Sequence, residues 1–414
     1  MKRVSLLVYV VVAMAVAVFS YQLGRKNVVS SEKEAVAAAD HEPGSALPTG
    51  HPPLDTVDAG GQRRAGLVAN AKFAHFEIGQ RNVKKMYAEG DYLWIGTSGG
   101  AIRYQFSTDT YDVFDNKVPG ILSNGVFYVG RVGEYIALGT YGGGLSLYDS
   151  QTDRWRNINI PQGLADQFVY DIEQTRSGDI WIATWSGVNR IVEGRLDDPA
   201  AWQTFTVENT HGGLPNPWVY GVEEGQDGEM WFATEGGLAR YRNGTWTNWQ
   251  HEDGLGAPYD TVKKAIEFTS DPARQSAHHA QQKVQQGLGQ VDVAYNPNYI
   301  ISLEVDSRGN VWCGTWGGGL ARFDGETWRN YTTADGLPGN HIFMLYLDPD
   351  NTLWIGTSKG LTRLTEEDQS FPVLSKKDGL FADNVFSMAH APDGSIWVGS
   401  FGGVARIQAA EGFL

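Results

Sequence analysis

Leu353-Trp354-Ile355-Gly356-Thr357-Ser358-Lys359-Gly360-Leu361-Thr362-Arg363 decides the fold, because the chain repeats its pattern seven times. Its core recurs as Leu93-Trp94-Ile95-Gly96-Thr97, Ile136-Ala137-Leu138-Gly139-Thr140, Ile180-Trp181-Ile182-Ala183-Thr184, Met230-Trp231-Phe232-Ala233-Thr234, Val311-Trp312-Cys313-Gly314-Thr315 and Ile396-Trp397-Val398-Gly399-Ser400. Successive copies stand 42 to 50 residues apart, except for one gap of 81. Repetition at such a period marks a protein assembled from copies of one supersecondary unit, each burying its apolar face against the next.

The order within each unit is constant. A Gly-Leu-Pro-like loop (Gly336-Leu337-Pro338-Gly339-Asn340) leads into an apolar run, Ile342 to Leu347. A turn, Asp348-Pro349-Asp350-Asn351, precedes the Trp strand, and a glycine-containing hairpin returns through Leu361-Thr362-Arg363-Leu364. A short aromatic strand closes the unit, as at Trp155-x-x-Ile158, Trp202-x-x-Phe205, Trp246-x-x-Trp249, Trp328-x-x-Tyr331 and Phe371-x-x-Leu374. Four short strands with turn signals, repeated at this period, describe a propeller blade, and the long 3.6-residue stripes of a helical solenoid are missing. After the seventh motif only a third strand, Val404 to Ile407, follows, whereas Phe73-Ala74-His75-Phe76 stands unclaimed before the first unit. Pairing these segments would hide two sheet edges. The expected fold is therefore an all-β, seven-bladed β-propeller of four-stranded blades over residues 72–408, closed by an N-terminal strand.

The wide gap reads as a short helical insertion at 257–297, between the fourth and fifth units. Val262 to Phe268 and Ala273 to Leu288 carry Ala, Gln and Lys at helix-favouring density. Such a connection lies on the same rim as the hairpins after the Trp strands and is expected over one mouth of the central channel. Its adjacent His278 and His279 point about 100° apart on a helix, which does not suit a shared metal.

Upstream, Val4 to Tyr21 is almost wholly apolar and uncharged, about the length that crosses a bilayer core. Residues 1–26 are expected to be a membrane anchor or signal segment, with residues 4–21 in the membrane. Residues 27–70, rich in Pro, Gly and Ala, read as a flexible linker. Lys2 and Arg3 favour the N-terminus inside, hence an inner-membrane-anchored protein with its propeller in the periplasm, or a secreted one if the segment is cut.

The chain of 414 residues carries 33 basic and 48 acidic groups, a net charge of −15. That balance repels a phosphate backbone and argues against nucleic acid as a partner. The single Cys313 excludes a disulfide framework and thiolate metal clusters.

The string Leu-Trp-Ile-Gly-Thr-x-x-Gly-Leu-x-Arg, preceded by Gly-Leu-Pro-x-Asn, resembles the two-component regulator propeller repeat over residues 72–408. The resemblance implies a periplasmic sensory or binding module of signalling proteins; no cofactor or metal is expected, because Asp227-Gly228 and Asp393-Gly394 read as hairpin turns. It departs from the family's plan because no kinase follows Ile407, so the signal is expected to pass through a separate protein.

Gly96-Thr97-Ser98-Gly99-Gly100 and Gly356-Thr357-Ser358-Lys359-Gly360 match Gly-x-Ser-x-Gly, but each runs from strand to strand, without the helix that a nucleophile elbow needs. Arg103, Arg190, Arg240, Arg322, Arg363 and Arg406 recur around the ring and cannot converge on one small molecule; they are expected to pair with carboxylates or carbonyls. A propeller lyase or hydrolase would need acid and base among Glu235, His251, His341, His390 and Asp383, whose loop and strand placements promise no convergence. The expectation is no catalytic residue. Rim positions that vary between units are the better candidates. Those after the Trp strands include Tyr141, Trp185, Glu235, Trp316 and Phe401, and those entering the inner strands include Asn124, Gln167, Asn298, Asn340 and Asp383. Aromatic faces interleaved with amides around a funnel would suit a glycan, a peptide, another protein or a small aromatic molecule.

Overall fold

A computed structural model describes residues 63–67, 71–117, 120–266, 268, 270–364 and 370–408. The apolar run 4–21 and most of the linker lie outside these residues; among the described ones no helix is long and apolar enough to cross a membrane.

The repeat folds into antiparallel four-stranded sheets. In the unit of Leu353–Thr357, the order runs Ile342–Leu347, Leu353–Thr357, Gly360–Leu364, Val373–Leu374, each strand bonded to the next. Four further sheets repeat this meander, with inner strands Val126–Val132, Val169–Gln174, Val219–Glu224 and Asn296–Val305. The expectation of seven separate sheets is corrected here: five four-stranded sheets stand apart, and the other strands form one eight-stranded sheet. The physical reason is one continuous strand, Phe73–Glu89. Its first part pairs with Phe401–Ile407 (Phe73 opposite Ile407, Phe76 opposite Val404), and its second part with Tyr92–Thr97 (Val83 opposite Thr97, Glu89 opposite Tyr92). The inner strands pack on one another in chain order, Phe73–Glu89 against Val126–Val132 and onward to Ile342–Leu347, Ser387–His390 and back to Phe73–Glu89.

The motif's letters have separate jobs. The Trp side chains are buried, from fully enclosed at Trp397 to 6% exposed at Trp312. In several units the indole N–H donates to a residue just before the strand, Trp312 to Asp306 at 2.9 Å, Trp354 to Asp348 at 2.9 Å and Trp231 to Glu229 at 3.1 Å. That gives the carboxylate before the strand a role in these units, which Ser395 takes for Trp397 at 3.0 Å. The Thr hydroxyl donates back to the hairpin carbonyl, as from Thr357 to Gly360 at 3.0 Å. The glycine before it is a matter of clearance: a β-carbon on Gly96 would come within 3.0 Å of Val126 Cγ1 on the next inner strand. Alanine, the next smallest residue, fills the same place at Ala183 and Ala233. The recurrent arginines lie over the Trp rings, Arg190 at 5.5 Å and Arg240 at 5.5 Å from the centroid. Arg103 and Arg190 also form ion pairs, with Asp112 (2.7 Å) and Asp179 (2.6 Å).

Residues 268–294 belong to a second compact unit. Its helix Ala277–Gln285 starts where the Ser276 hydroxyl accepts the His279 N–H. Lys283, 6% exposed, donates to Asp271 at 2.8 Å and to the carbonyls of Val291 and Val293, tying helix to loop. The first expected helix is shorter and earlier, Tyr259–Val262, because Pro258 opens it and Pro272 starts a new turn behind Asp271.

Candidate functional site: the inner strands

Six inner strands carry a bulge near their start, while Ser387–His390 pairs in unbroken register. The register slips between Val83 and Lys85, Val126 and Tyr128, Val169 and Asp171, Val219 and Gly221, Ile300 and Ser302, and Ile342 and Met344. A bulge expels one residue from the ladder and re-aims its side chain. Here the expelled residues include Lys84, Phe127, Tyr170, Tyr220 and Phe343, and they meet from sheet to sheet along the axis-facing edge. Phe127 and Tyr170 have ring centroids 4.5 Å apart, Tyr170 and Tyr220 4.8 Å, and Tyr220 and Tyr299 4.8 Å. The row continues from Tyr299 to Trp316 (5.8 Å), Phe343 (6.0 Å) and Phe386 (5.2 Å). At the other end the Lys84 ammonium lies 5.5 Å from the Phe127 ring. Tyr220 donates its hydroxyl proton to Tyr299, and burial raises both phenols above the ordinary range, with Glu235 adding to the effect.

Next along the strands comes a cluster of charges. Asp171 stands at the position after the bulge, as do Lys85 and Tyr128 in their own strands. Glu173, Glu223 and Glu304 each lie directly opposite the Trp of their own unit, Trp181, Trp231 and Trp312, so three consecutive sheets present a glutamate at one level. Asp171 accepts the Val222 N–H from the neighbouring inner strand at 3.1 Å. By accessible surface the four carboxyl residues are half-buried and Lys85 is exposed, yet neighbouring strands crowd around all five and such surroundings disfavour charge. Burial is the first cause of every carboxyl shift: Glu173 is pushed up to about 8, Glu304 to about 7, Glu223 well above the usual range, and Asp171 upward. Mutual repulsion adds to this at Glu173 and Glu223, and Lys85 partly offsets it. Burial opposes the Lys85 charge in turn, but Asp171, Glu304, Glu223 and Glu173 outweigh it and hold its ammonium above the ordinary lysine range.

The rim residues named from sequence divide. Trp316 joins the aromatic row through Tyr299 and Phe343. Trp185, 8% exposed, stacks on Trp218 at 4.3 Å and 6° and on Phe168 at 4.3 Å, and Tyr141 meets it edge-on at 5.4 Å. Trp185 also stacks on Tyr170 at 5.8 Å, which links this cluster to the row. Glu235 is fully buried, its N–H donating to the Trp218 carbonyl. Phe401 sits opposite Asn82 at the start of its strand.

The amides lock turns. The side-chain oxygens of Asn124, Asn298, Asn340 and Asp383 accept the N–H groups of Asn116 (2.7 Å), His251 (2.6 Å), Thr333 (3.0 Å) and Lys376 (2.8 Å). The Gln167 carbonyl accepts from Gly142 and Gly144. Of the histidines considered for acid–base work, His251 Nδ1 pairs with the Leu255 carbonyl at 2.7 Å, and His341, 1% exposed, meets the Trp316 ring edge-on. His390 packs on Tyr346, and burial lowers its pKa. Among the described residues no group of three His, Cys, Asp or Glu is arranged to hold a metal.

Sequence reading missed Lys85, Asp171, Glu173, Glu223 and Glu304 because it compared rim positions rather than the inner strands. The signal was there: aligning each inner strand to its Trp motif reads Tyr87, Gly130, Glu173, Glu223, Glu304, Tyr346, Ala389 at one level.

Four stretches of the chain, residues 163–186, 213–236, 294–317 and 336–359, match the profile of the two component regulator propeller. A search of curated proteins returns no significant match. Among solved structures, the extracellular domain of a hybrid two component system from B. thetaiotaomicron is similar, with TM-score 0.60 and 19% identity over 80% of this chain and 40% of that one. The extracellular domain of a one component system from the same organism gives TM-score 0.57 and 18% identity, over 82% and 40%. The chain thus spans two fifths of the length of these matches. Virginiamycin B lyase from Staphylococcus aureus, solved as an inactive variant with quinupristin, gives TM-score 0.56 and 11% identity over 82% and 99%. These likenesses establish the β-propeller fold.

Proposed function

We propose that this chain is a non-catalytic recognition propeller of signalling type. In this reading the eight-stranded sheet counts as two blades sharing Phe73–Glu89, with the two-residue strand Arg63–Arg64 added at its edge beside Thr110–Phe114, giving a seven-bladed ring closed by its N-terminal segment. Residues 27–70, apart from the sheet-paired Arg63–Arg64, tether it to an anchor at 4–21, with the propeller in the periplasm. The kinship with two-component extracellular domains supports the class. The observation that carries a binding role is the continuous row of aromatic rings from Phe127 to Phe386, in which bulges expel Phe127, Tyr170, Tyr220, Tyr299 and Phe343 from their ladders. A glycan, a peptide side chain or a small aromatic molecule is the class such a surface takes.

A thermal-shift panel of these classes on the full chain in detergent tests it. A compound that raises the melting temperature should lose its effect in Tyr170→Ala and in Trp316→Ala. Retention of the whole effect in both variants would remove the aromatic row as the site. Capture of an envelope protein without any ligand response would favour an assembly scaffold, and turnover of a panel compound would overturn the non-catalytic reading.

A further inference from the structure

A second place in the molecule, far along the strands from the inner edge, has chemistry of its own. In the sheet of Val311–Trp316, the strands Leu320–Phe323 and Trp328–Tyr331 pair so that Arg322 lies directly opposite Arg329. Like charges directly opposite across a ladder repel. In the same place of the first unit, Arg103 faces Asp112 and bonds to it. Arg190 takes Asp179, the residue two before its Trp; here that position is Asn310, whose side-chain oxygen accepts from Arg322 Nε at 3.1 Å without supplying charge. Among the described residues neither Arg322 nor Arg329 forms an ion pair. Both are held by rings instead, Arg322 over Trp312 at 5.8 Å and Arg329 over Tyr331 at 4.6 Å. The two line a cavity of about 290 Å³, walled by Trp312, Tyr331 and Phe371. Two carboxylates also line it, already engaged: Asp306 accepts from Asn310 (2.7 Å) and Trp312 (2.9 Å), and Asp335 from the Thr332 N–H (2.8 Å).

We propose that this cavity binds a small planar carboxylate between the Arg322 and Arg329 guanidiniums. The fork of each guanidinium matches a carboxylate, and the anion supplies the charge that Asp112 supplies in the first unit. The aromatic walls accept the flat body of the molecule, and the volume sits at the small end of ligand sites. The site is independent of the inner-strand row.

Sodium benzoate is the probe, titrated into the full chain by calorimetry in low-chloride buffer, with sodium sulfate in parallel. Saturable benzoate binding is expected, weakened at least tenfold in Arg329→Gln. Arg329 is solvent-exposed, so this variant should keep the fold, checked by near-ultraviolet circular dichroism. Arg329→Asp recreates the arrangement of Arg103 and Asp112; it should raise the melting temperature of the ligand-free protein and abolish benzoate binding. Equal benzoate affinity in wild type and both variants, or no binding to wild type, overturns the proposal. Sulfate binding without benzoate binding overturns the assignment to carboxylates.

Discussion

Glu304→Gln should make the protein more stable at alkaline pH and leave it nearly unchanged at pH 5. The Glu304 carboxyl is raised from 4.5 to about 7, chiefly by burial, with Lys85 offsetting part of the cost and the Leu347 N–H favouring the ionised form. The folded state therefore keeps a proton that the unfolded chain releases as pH rises past about 4.5. The sign follows: this group costs nothing below that pH, an increasing amount between about 4.5 and 7, and its full penalty above. At 1.36 kcal/mol per tenfold change in proton affinity the ceiling is on the order of 3 kcal/mol, and channel water reduces it, so about 1 to 3 kcal/mol is expected. The amide keeps an oxygen for the Leu347 N–H while removing the charge. Denaturant unfolding followed by tryptophan fluorescence at pH 5 and pH 9 measures the difference. A Lys85→Met variant should lose stability at pH 9, and the double variant should recover part of it, because the two groups interact. The reasoning fails if the gain in Glu304→Gln is equal at both pH values, or if wild-type stability rises between pH 5 and 8.

Other consequences can be checked separately. A β-carbon at Gly399 would fall within the Val83 side chain, so Gly399→Val should cost about 1 to 3 kcal/mol. Val83→Ala in the same chain should return part of that, as read by thermal unfolding; an unaltered melting temperature would refute the close packing of the last Trp strand on the first inner strand. Lys283→Met leaves the Asp271 carboxylate buried without its ammonium, a loss of about 3 to 5 kcal/mol local to residues 268–294. Limited proteolysis should then cut within that segment far faster, with the rest of the chain intact. Deleting residues 4–21 should move the protein from the membrane fraction to the soluble fraction; unchanged membrane association would rule out that run as the anchor.

The sequence by itself determined the repeat and the strand order within each unit, and the structure then showed what the letters of the motif do. Trp, Gly and Thr recur because in most units the indole reaches a turn, the glycine clears a neighbouring β-branched side chain and the hydroxyl closes a hairpin. It also indicated Phe73–Phe76 as a strand needing a partner, but not that it would run unbroken into Val83–Glu89 and fuse the first and last strands into one sheet, since continuity through a bulge is set by two partners distant in sequence. The rim aromatics were legible as residue types, yet whether Trp185 faces solvent or Trp218 depends on how two sheets meet. Lys85, Asp171, Glu173, Glu223 and Glu304 come from four inner strands spread over more than 200 residues. Each reads alone as an ordinary charged strand residue, and only tertiary structure gathers them, because burial and mutual repulsion exist only after the inner strands pack side by side.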